Sequence, residues 1–143
     1  MNEERLLGLI ADMSESIEKL KRCRFILETK EEDETSIFIT YGLKQLFVDF
    51  FITVEDFTSI MLKELKQFKI GIDMKQGLSI LLDHHVINDA NYNFLNEARL
   101  IRNRISHKYK EPTKEELLAF VREHESSMDE VLQVLKKVFR SNQ

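Results

Sequence analysis

Residues that break regular structure are scarce in this chain. Its 143 residues include only four Gly and one Pro, so few positions favour a turn. Long helices are therefore favoured over many short strands. The length suits one domain with one hydrophobic core, and we expect a single domain over residues 1–143. Cys23 is the only cysteine, which excludes an intramolecular disulfide and is typical of a cytoplasmic protein.

Apolar residues recur at the three-and-four spacing of amphipathic helices. The spacing predicts a first helix of about seven turns over residues 6–27, a long second helix over about 36–67 and a short third helix over about 74–84. Asp33 or Thr35 is placed to cap the second helix, and Asn88 caps a fourth helix that Pro112 ends. A capping box at residues 113–116 opens a last helix, whose apolar stripe continues through His124. We therefore predict an all-α antiparallel bundle of four main helices plus one short helix.

The second helix is apolar on more than one side. Between Leu46 and Val54 its apolar residues cover most of the circumference, so it lies at the centre of its bundle or buries its second side against another chain. The remaining helices offer limited material to cover both sides, and we expect a homodimer interface here. Charges interrupt every apolar run before the roughly 20 residues that a bilayer span needs, so no membrane contact is expected. Residues 1–5 lack the order of a secretory signal.

The stretch from Arg99 to Lys110 is basic in an acidic protein. It carries five basic residues and no carboxylate, whereas the whole chain has a net charge of −4. Such a local patch indicates a site for an anion rather than general affinity for nucleic acid. On a regular helix Asn103 and His107 share a face, so the Asn103 amide is placed to hydrogen-bond the imidazole.

Arg102 and Tyr109 lie on another line of the same helix, close to its core stripe, which predicts that Arg102 is half buried. Arg102 and His107 diverge by about 140° on a regular helix. They meet if the arginine wraps round, if the helix loosens near His107, or if two protomers each contribute one residue. The spacing leaves all three open.

These residues resemble a known signature. Arg102-Asn-Arg-Ile-Ser-His107-Lys-Tyr109 is similar to the Arg-x-x-x-x-His-x-Tyr signature of HepT-type proteins of the HEPN superfamily, in which a polar residue such as Asn103 often follows the arginine. Chain length, helical order and a motif placed before a final helix extend the resemblance to most of the sequence. The preceding residues, 97–101, are more charged than the family pattern.

The resemblance implies a HEPN-like homodimer that brings two copies of the motif into one cleft and cleaves RNA without a metal. Such a protein is the toxin of a toxin–antitoxin pair. Arg102 and His107 are the implied catalytic residues, and Asn103 and Arg99 support them. The implied antitoxin is a small nucleotidyltransferase of the MntA type, which adds AMP to Tyr109. No cofactor is implied.

Each of these features also has a structural interpretation. Arg102 and Arg104 can be surface or interface arginines, and the helix macrodipole favours basic residues near a helix C-terminus. Cys23 and His124 are predicted to pack inside the bundle, and residues 83–85 are not predicted to bind metal because adjacent helical residues diverge. Two other functions stay open: a catalytically silent subunit that positions a nucleotide or substrate for a nucleotidyltransferase, and a purely structural dimerisation domain.

Overall fold

The computed structural model describes all of residues 1–143 and contains six α-helices and no β-strand. The helices are α1 (Glu3–Thr29), α2 (Glu34–Glu64), α3 (Met74–Asp83), α4 (Asp89–Ile105), α5 (Lys114–Glu123) and α6 (Glu125–Ser141). A single turn of 3-10 helix (Lys108–Lys110) lies between α4 and α5. The all-α class predicted from the sequence is confirmed.

Polar side chains begin three of these helices at predicted positions, and of the two candidate caps for α2 the structure has Asp33 rather than Thr35. Asp33, Asn88 and Thr113 each accept a hydrogen bond from the backbone N–H three residues further on, at 3.2, 2.8 and 3.1 Å. Each also forms a reciprocal capping box. A cap of this kind stabilises the helix, because it satisfies a backbone donor that the helix leaves free. The sequence therefore sets where α2, α4 and α5 begin.

Helix α2 is the centre of the bundle. It packs against α1, α3 and α4, and Phe47, Phe50 and Phe51 on it are almost completely buried. Of its large apolar residues between Leu46 and Val54, only Ile52 is classed as exposed. One chain thus covers most of the circumference of this segment. A second chain is not needed to bury it, and the homodimer stays a prediction.

By length and composition alone, α2 is apolar enough to cross a membrane. This finding corrects the prediction that charges interrupt every apolar run of that length. The core helix of a soluble protein can be equally apolar, and 33% of the most apolar segment of α2 is buried inside the bundle. The fold is compatible with a soluble protein.

The predicted last helix is broken, which corrects the prediction of one helix through His124. Helix α5 ends at Glu123, and His124 leaves helical geometry with φ −116° and ψ 15°. Its ring packs on Phe120 and Phe94, with centroids 4.4 and 5.3 Å apart. On either side of the break, α5 and α6 both pack on α1. Helix α6 also packs on α4, and Phe120 of α5 stacks on Phe94 of α4 with ring centroids 6.0 Å apart. The apolar spacing continues across the break because both pieces bury their stripe in the same core.

The two predicted interior residues are inside the bundle to different degrees. Cys23 is buried, as predicted, and its thiol lies 3.5 Å from the carbonyl oxygen of Ile39. Burial raises the pKa of this thiol, which makes it a poor nucleophile. His124 is partly buried, and its Nε2 lies 3.5 Å from a carboxylate oxygen of Glu97.

Candidate functional site

Helix α4 ends inside the Arg102–Tyr109 stretch. Its last residue is Ile105, Ser106 is the C-cap, and His107 is extended, with φ −113° and ψ 107°. The prediction that one regular helix carries the stretch to Tyr109 is therefore wrong. Of the three arrangements that the sequence left open, the loosening of the helix near His107 is present within the protomer.

The turn that follows α4 is tied at several points. Arg104 Nε donates to the carbonyl oxygen of Lys110 at 3.0 Å, and its two terminal nitrogens contact the Glu116 carboxylate at 2.9 and 3.3 Å. Lys44 on α2 pairs with Glu111, and Pro112 is buried. The hydrogen bond from Arg104 lowers the pKa of the Glu116 carboxyl. These contacts hold residues 106–111 against α2 and α5.

Two of the predicted site residues project from this tied turn. The rings of His107 and Tyr109 are neighbours, with centroids 6.3 Å apart, and both residues are exposed, Tyr109 to 82%. The Lys110 ammonium lies 5.8 Å from the Tyr109 ring centroid. Neither His107 nor Tyr109 makes a side-chain hydrogen bond, and the predicted bond between Asn103 and His107 is absent because His107 has left the helix.

Arg102 is anchored between two helices. Its Nη1 donates to the hydroxyl of Ser106 at 3.3 Å, and its Nη2 lies 3.8 Å from the carboxylate of Glu55 on α2. Its Nε is buried and has no hydrogen-bond partner. The side chain is 30% exposed, which confirms the half-buried position predicted from the sequence. A buried donor without a partner is costly.

The other predicted residues lie with Arg102 rather than with His107. A cavity of about 320 Å³ between α2, the start of α3 and α4 is lined by Arg99, Arg102 and Asn103. Arg99 is held on its own helix by Asn96, whose side-chain oxygen accepts two hydrogen bonds at 3.0 and 3.2 Å. The protomer therefore gathers the predicted residues into two groups, Arg99, Arg102 and Asn103 at the cavity and His107 with Tyr109 on the turn.

The residues that surround these groups were not predicted from the sequence. Glu55 and Lys75 also line the cavity, and Arg104 with Glu116 ties the turn. These pairs join residues that are far apart in sequence or on different elements, so the periodicity of the sequence does not predict them. Glu55 is a carboxylate within the most apolar helix, and this unusual placement is the one feature of the sequence that could have marked it as a site residue.

The titratable groups do not suggest metal chemistry. No group of three or more His, Cys, Asp or Glu side chains is placed to hold a metal ion. His84 and His85 are exposed at the end of α3.

Comparisons with known proteins identify no relative. No protein-family model matches the chain, and neither a curated protein nor a solved structure matches it.

Proposed function

We propose that this chain is a metal-independent endoribonuclease toxin of the HEPN type, paired with a small nucleotidyltransferase antitoxin. The observation that carries the proposal is the end of α4 at Ile105, between Arg102 and His107. On a continuous helix these two residues point apart, and the break frees His107 from that constraint. The resemblance to the HepT-type signature supplies the reaction class.

The residues suit cleavage of RNA by attack of its own 2′-hydroxyl. A neutral His107 takes the 2′-hydroxyl proton as O2′ bonds to phosphorus, and an imidazolium gives a proton to O5′ as the P–O5′ bond breaks. The products are a 2′,3′-cyclic phosphate and a 5′-hydroxyl, so no water or redox partner is consumed. Arg102 contacts the non-bridging oxygens and stabilises their charge. Arg99 and Asn103 position the substrate beside Arg102.

Tyr109 is the proposed site of control. Its phenol is exposed to 82%, so an antitoxin can reach it. The phenolic oxygen attacks the α-phosphorus of ATP and releases its proton to solvent, the bond to pyrophosphate breaks, and AMP stays on the tyrosine. The added phosphate and nucleoside stand beside His107 and exclude an RNA phosphate by charge and volume.

The active species in this proposal is a homodimer in the cytoplasm. The exposed apolar residues on α2 include Ile37, Phe38 and Tyr41 near its start and Ile52 close to Glu55, which lines the Arg102 cavity. Burial of these residues against a second copy removes apolar surface from water. It also brings two sets of candidate residues near each other, so that one protomer supplies Arg102 and its partner supplies a second imidazole.

One observation favours a second candidate function. The terminal nitrogen of Arg102 already lies near the carboxylate of Glu55, and Arg102 and His107 make no hydrogen bond to each other. A protein that only binds nucleotide or substrate for a nucleotidyltransferase needs the cations but not the imidazole. Under this alternative the chain is a catalytically silent helical subunit.

The deciding experiment compares Arg102→Ala and His107→Ala with matched changes elsewhere. Each is expected to lower RNA cleavage by at least about 100-fold, because each removes a group that acts on the reacting phosphate. Each is also expected to abolish growth inhibition while the dimer survives. Arg122→Ala and His84→Ala remove exposed residues of the same types away from the site and should leave cleavage unchanged. Cleavage should also persist in excess chelator.

Two results would decide against the nuclease. Unchanged toxicity of Arg102→Ala and His107→Ala would end the proposal. Absence of cleavage by the wild type, together with weaker partner or nucleotide binding by Arg102→Ala, would establish the binding subunit instead. After co-expression with a nucleotidyltransferase encoded beside this chain, an AMP adduct mapped to Tyr109 would support the toxin, and its absence from Tyr109→Phe is the control.

A further inference from the structure

We infer that the cavity beside Arg102 binds a backbone phosphate of RNA next to the one that is cleaved, with Lys75 and Arg99 as its cations. The inference rests on the proposed ribonuclease function and names residues that bind its substrate. Lys75 lies on α3, outside the basic stretch, and nothing in its sequence context marks it.

The cavity is concave and reaches three helices. It has a volume of about 320 Å³. The residues that matter here are Glu55, Asp73, Lys75, Arg99, Arg102 and Asn103. Because Arg102 belongs both to this cavity and to the proposed reaction, a strand that passes Arg102 has its neighbouring phosphate in reach of the same cavity.

The charges in the cavity leave two cations without an acidic partner. Lys75 makes no ion pair or side-chain hydrogen bond, and the guanidinium of Arg99 contacts only the side-chain oxygen of Asn96. The two carboxylates of the lining stand against three cations, Lys75, Arg99 and Arg102. Asp73 accepts a hydrogen bond at 2.8 Å as the cap of α3, and Glu55 lies 3.8 Å from Arg102. The cavity therefore keeps net positive charge in a concave site, which attracts a phosphate.

The lining favours an RNA backbone over a free nucleotide. A site for a nucleobase usually offers an aromatic face on which the base stacks. The only aromatic residue at this cavity is Phe51, which is 1% exposed and packed in the core. Backbone contacts by Lys and Arg need no such face, so the site recognises phosphate without reading a base.

The test measures binding of a fluorescein-labelled, 2′-O-methylated ten-nucleotide RNA by anisotropy at several salt concentrations. The methyl groups prevent cleavage, so binding is measured alone. Lys75→Gln/Arg99→Gln is expected to weaken binding by about tenfold at 0.1 M salt. It should also reduce the slope of log K against log salt by about 0.7, the value for one phosphate of a single strand.

A matched control removes two positive charges elsewhere. Lys136 and Lys137 lie on α6, and neither forms an ion pair, so Lys136→Gln/Lys137→Gln should leave the slope unchanged. Equal slopes and affinities for the two double variants would overturn the inference, as would an absence of RNA binding by the wild type. Displacement of the RNA by equimolar AMP would overturn the assignment to RNA backbone, because AMP offers one phosphate and no strand.

The inference and the proposed function fail in different ways. If unmodified RNA is cleaved but binding does not depend on Lys75 and Arg99, the nuclease stands and the second phosphate site falls. If RNA binds through Lys75 and Arg99 but is never cleaved, the phosphate site stands and the nuclease falls.

Discussion

Asp33 shows how one side chain organises the start of α2. Its carboxylate accepts a hydrogen bond from the Thr35 hydroxyl at 2.6 Å and another from the Ser36 backbone N–H at 3.2 Å. The Thr35 and Ser36 hydrogen bonds, with Lys30 nearby, lower the pKa of Asp33 from 3.8 to about 2. A carboxyl whose pKa is lower in the folded state stabilises the fold above its ordinary pKa, and this contribution is lost as the pH falls.

Replacement of Asp33 by asparagine removes the negative charge but keeps a side chain that can cap the helix. Asparagine caps a helix as well as aspartate does, but it does not titrate. We therefore expect wild type to be more stable than Asp33→Asn at pH 7, and this difference to shrink as the pH falls from about 4 to about 2. Urea unfolding followed by circular dichroism over this range measures it. A difference that does not change with pH would contradict the assignment.

At the scale of elements, the junction between α4 and α5 presents His107 and Tyr109. Helix α4 ends at Ile105 and α5 begins at Lys114, and Arg104 spans the gap through Lys110 and Glu116. A planar guanidinium makes these contacts at once, whereas an ammonium does not. Arg104 is therefore a positioning residue for the turn.

Arg104→Lys keeps the positive charge and removes the planar guanidinium that contacts Lys110 and Glu116 at the same time. We expect the backbone amides of residues 106–111 to exchange with deuterium about fivefold faster in this variant, because hydrogen bonds that hold the turn are lost. Exchange followed by mass spectrometry measures this. Arg122→Lys changes another arginine that is paired with a glutamate, Glu28, and should leave this peptide unchanged. Equal protection in both variants would show that Pro112 and the Lys44–Glu111 pair hold the turn without Arg104.

At the scale of the whole molecule, the bundle covers its core but leaves one end of α2 uncovered. Phe38 and Tyr41 are 67% and 64% exposed, although the middle of the same helix is enclosed by its neighbours. Exposed aromatic side chains on consecutive helical turns are typical of a surface that meets another chain.

Phe38→Ser/Tyr41→Ser tests whether this surface joins two copies. We expect the wild type to sediment as a dimer at micromolar concentration, and the double variant to dissociate to monomers with its helix content unchanged. Ile70→Ser is the control, since Ile70 is 99% exposed but lies in the α2–α3 connection. A wild type that sediments as a monomer would exclude the homodimer.

Much of the fold follows from local chemistry in the sequence. The all-α class, the caps at Asn88 and Thr113 and the half-buried position of Arg102 were predicted because each depends on residues within a few helical turns. The cap of α2 was narrowed to Asp33 or Thr35, and the structure has Asp33. The break at His124 was not predicted, because the apolar spacing is the same on both sides of it. The end of α4 was placed too late, because Pro112 marks only the last possible position for it.

The sequence by itself determined the elements of this protein and the chemical groups that it can offer, because helix periodicity and capping act over short separations along the chain. Only the tertiary structure decided how those groups are arranged. Contacts such as Arg102 with Glu55 and Arg104 with Glu116 join different elements, and their energies depend on distances that packing sets. Packing therefore turned one basic stretch into two places, a cationic cavity between α2, α3 and α4 and a tied turn that presents His107 and Tyr109.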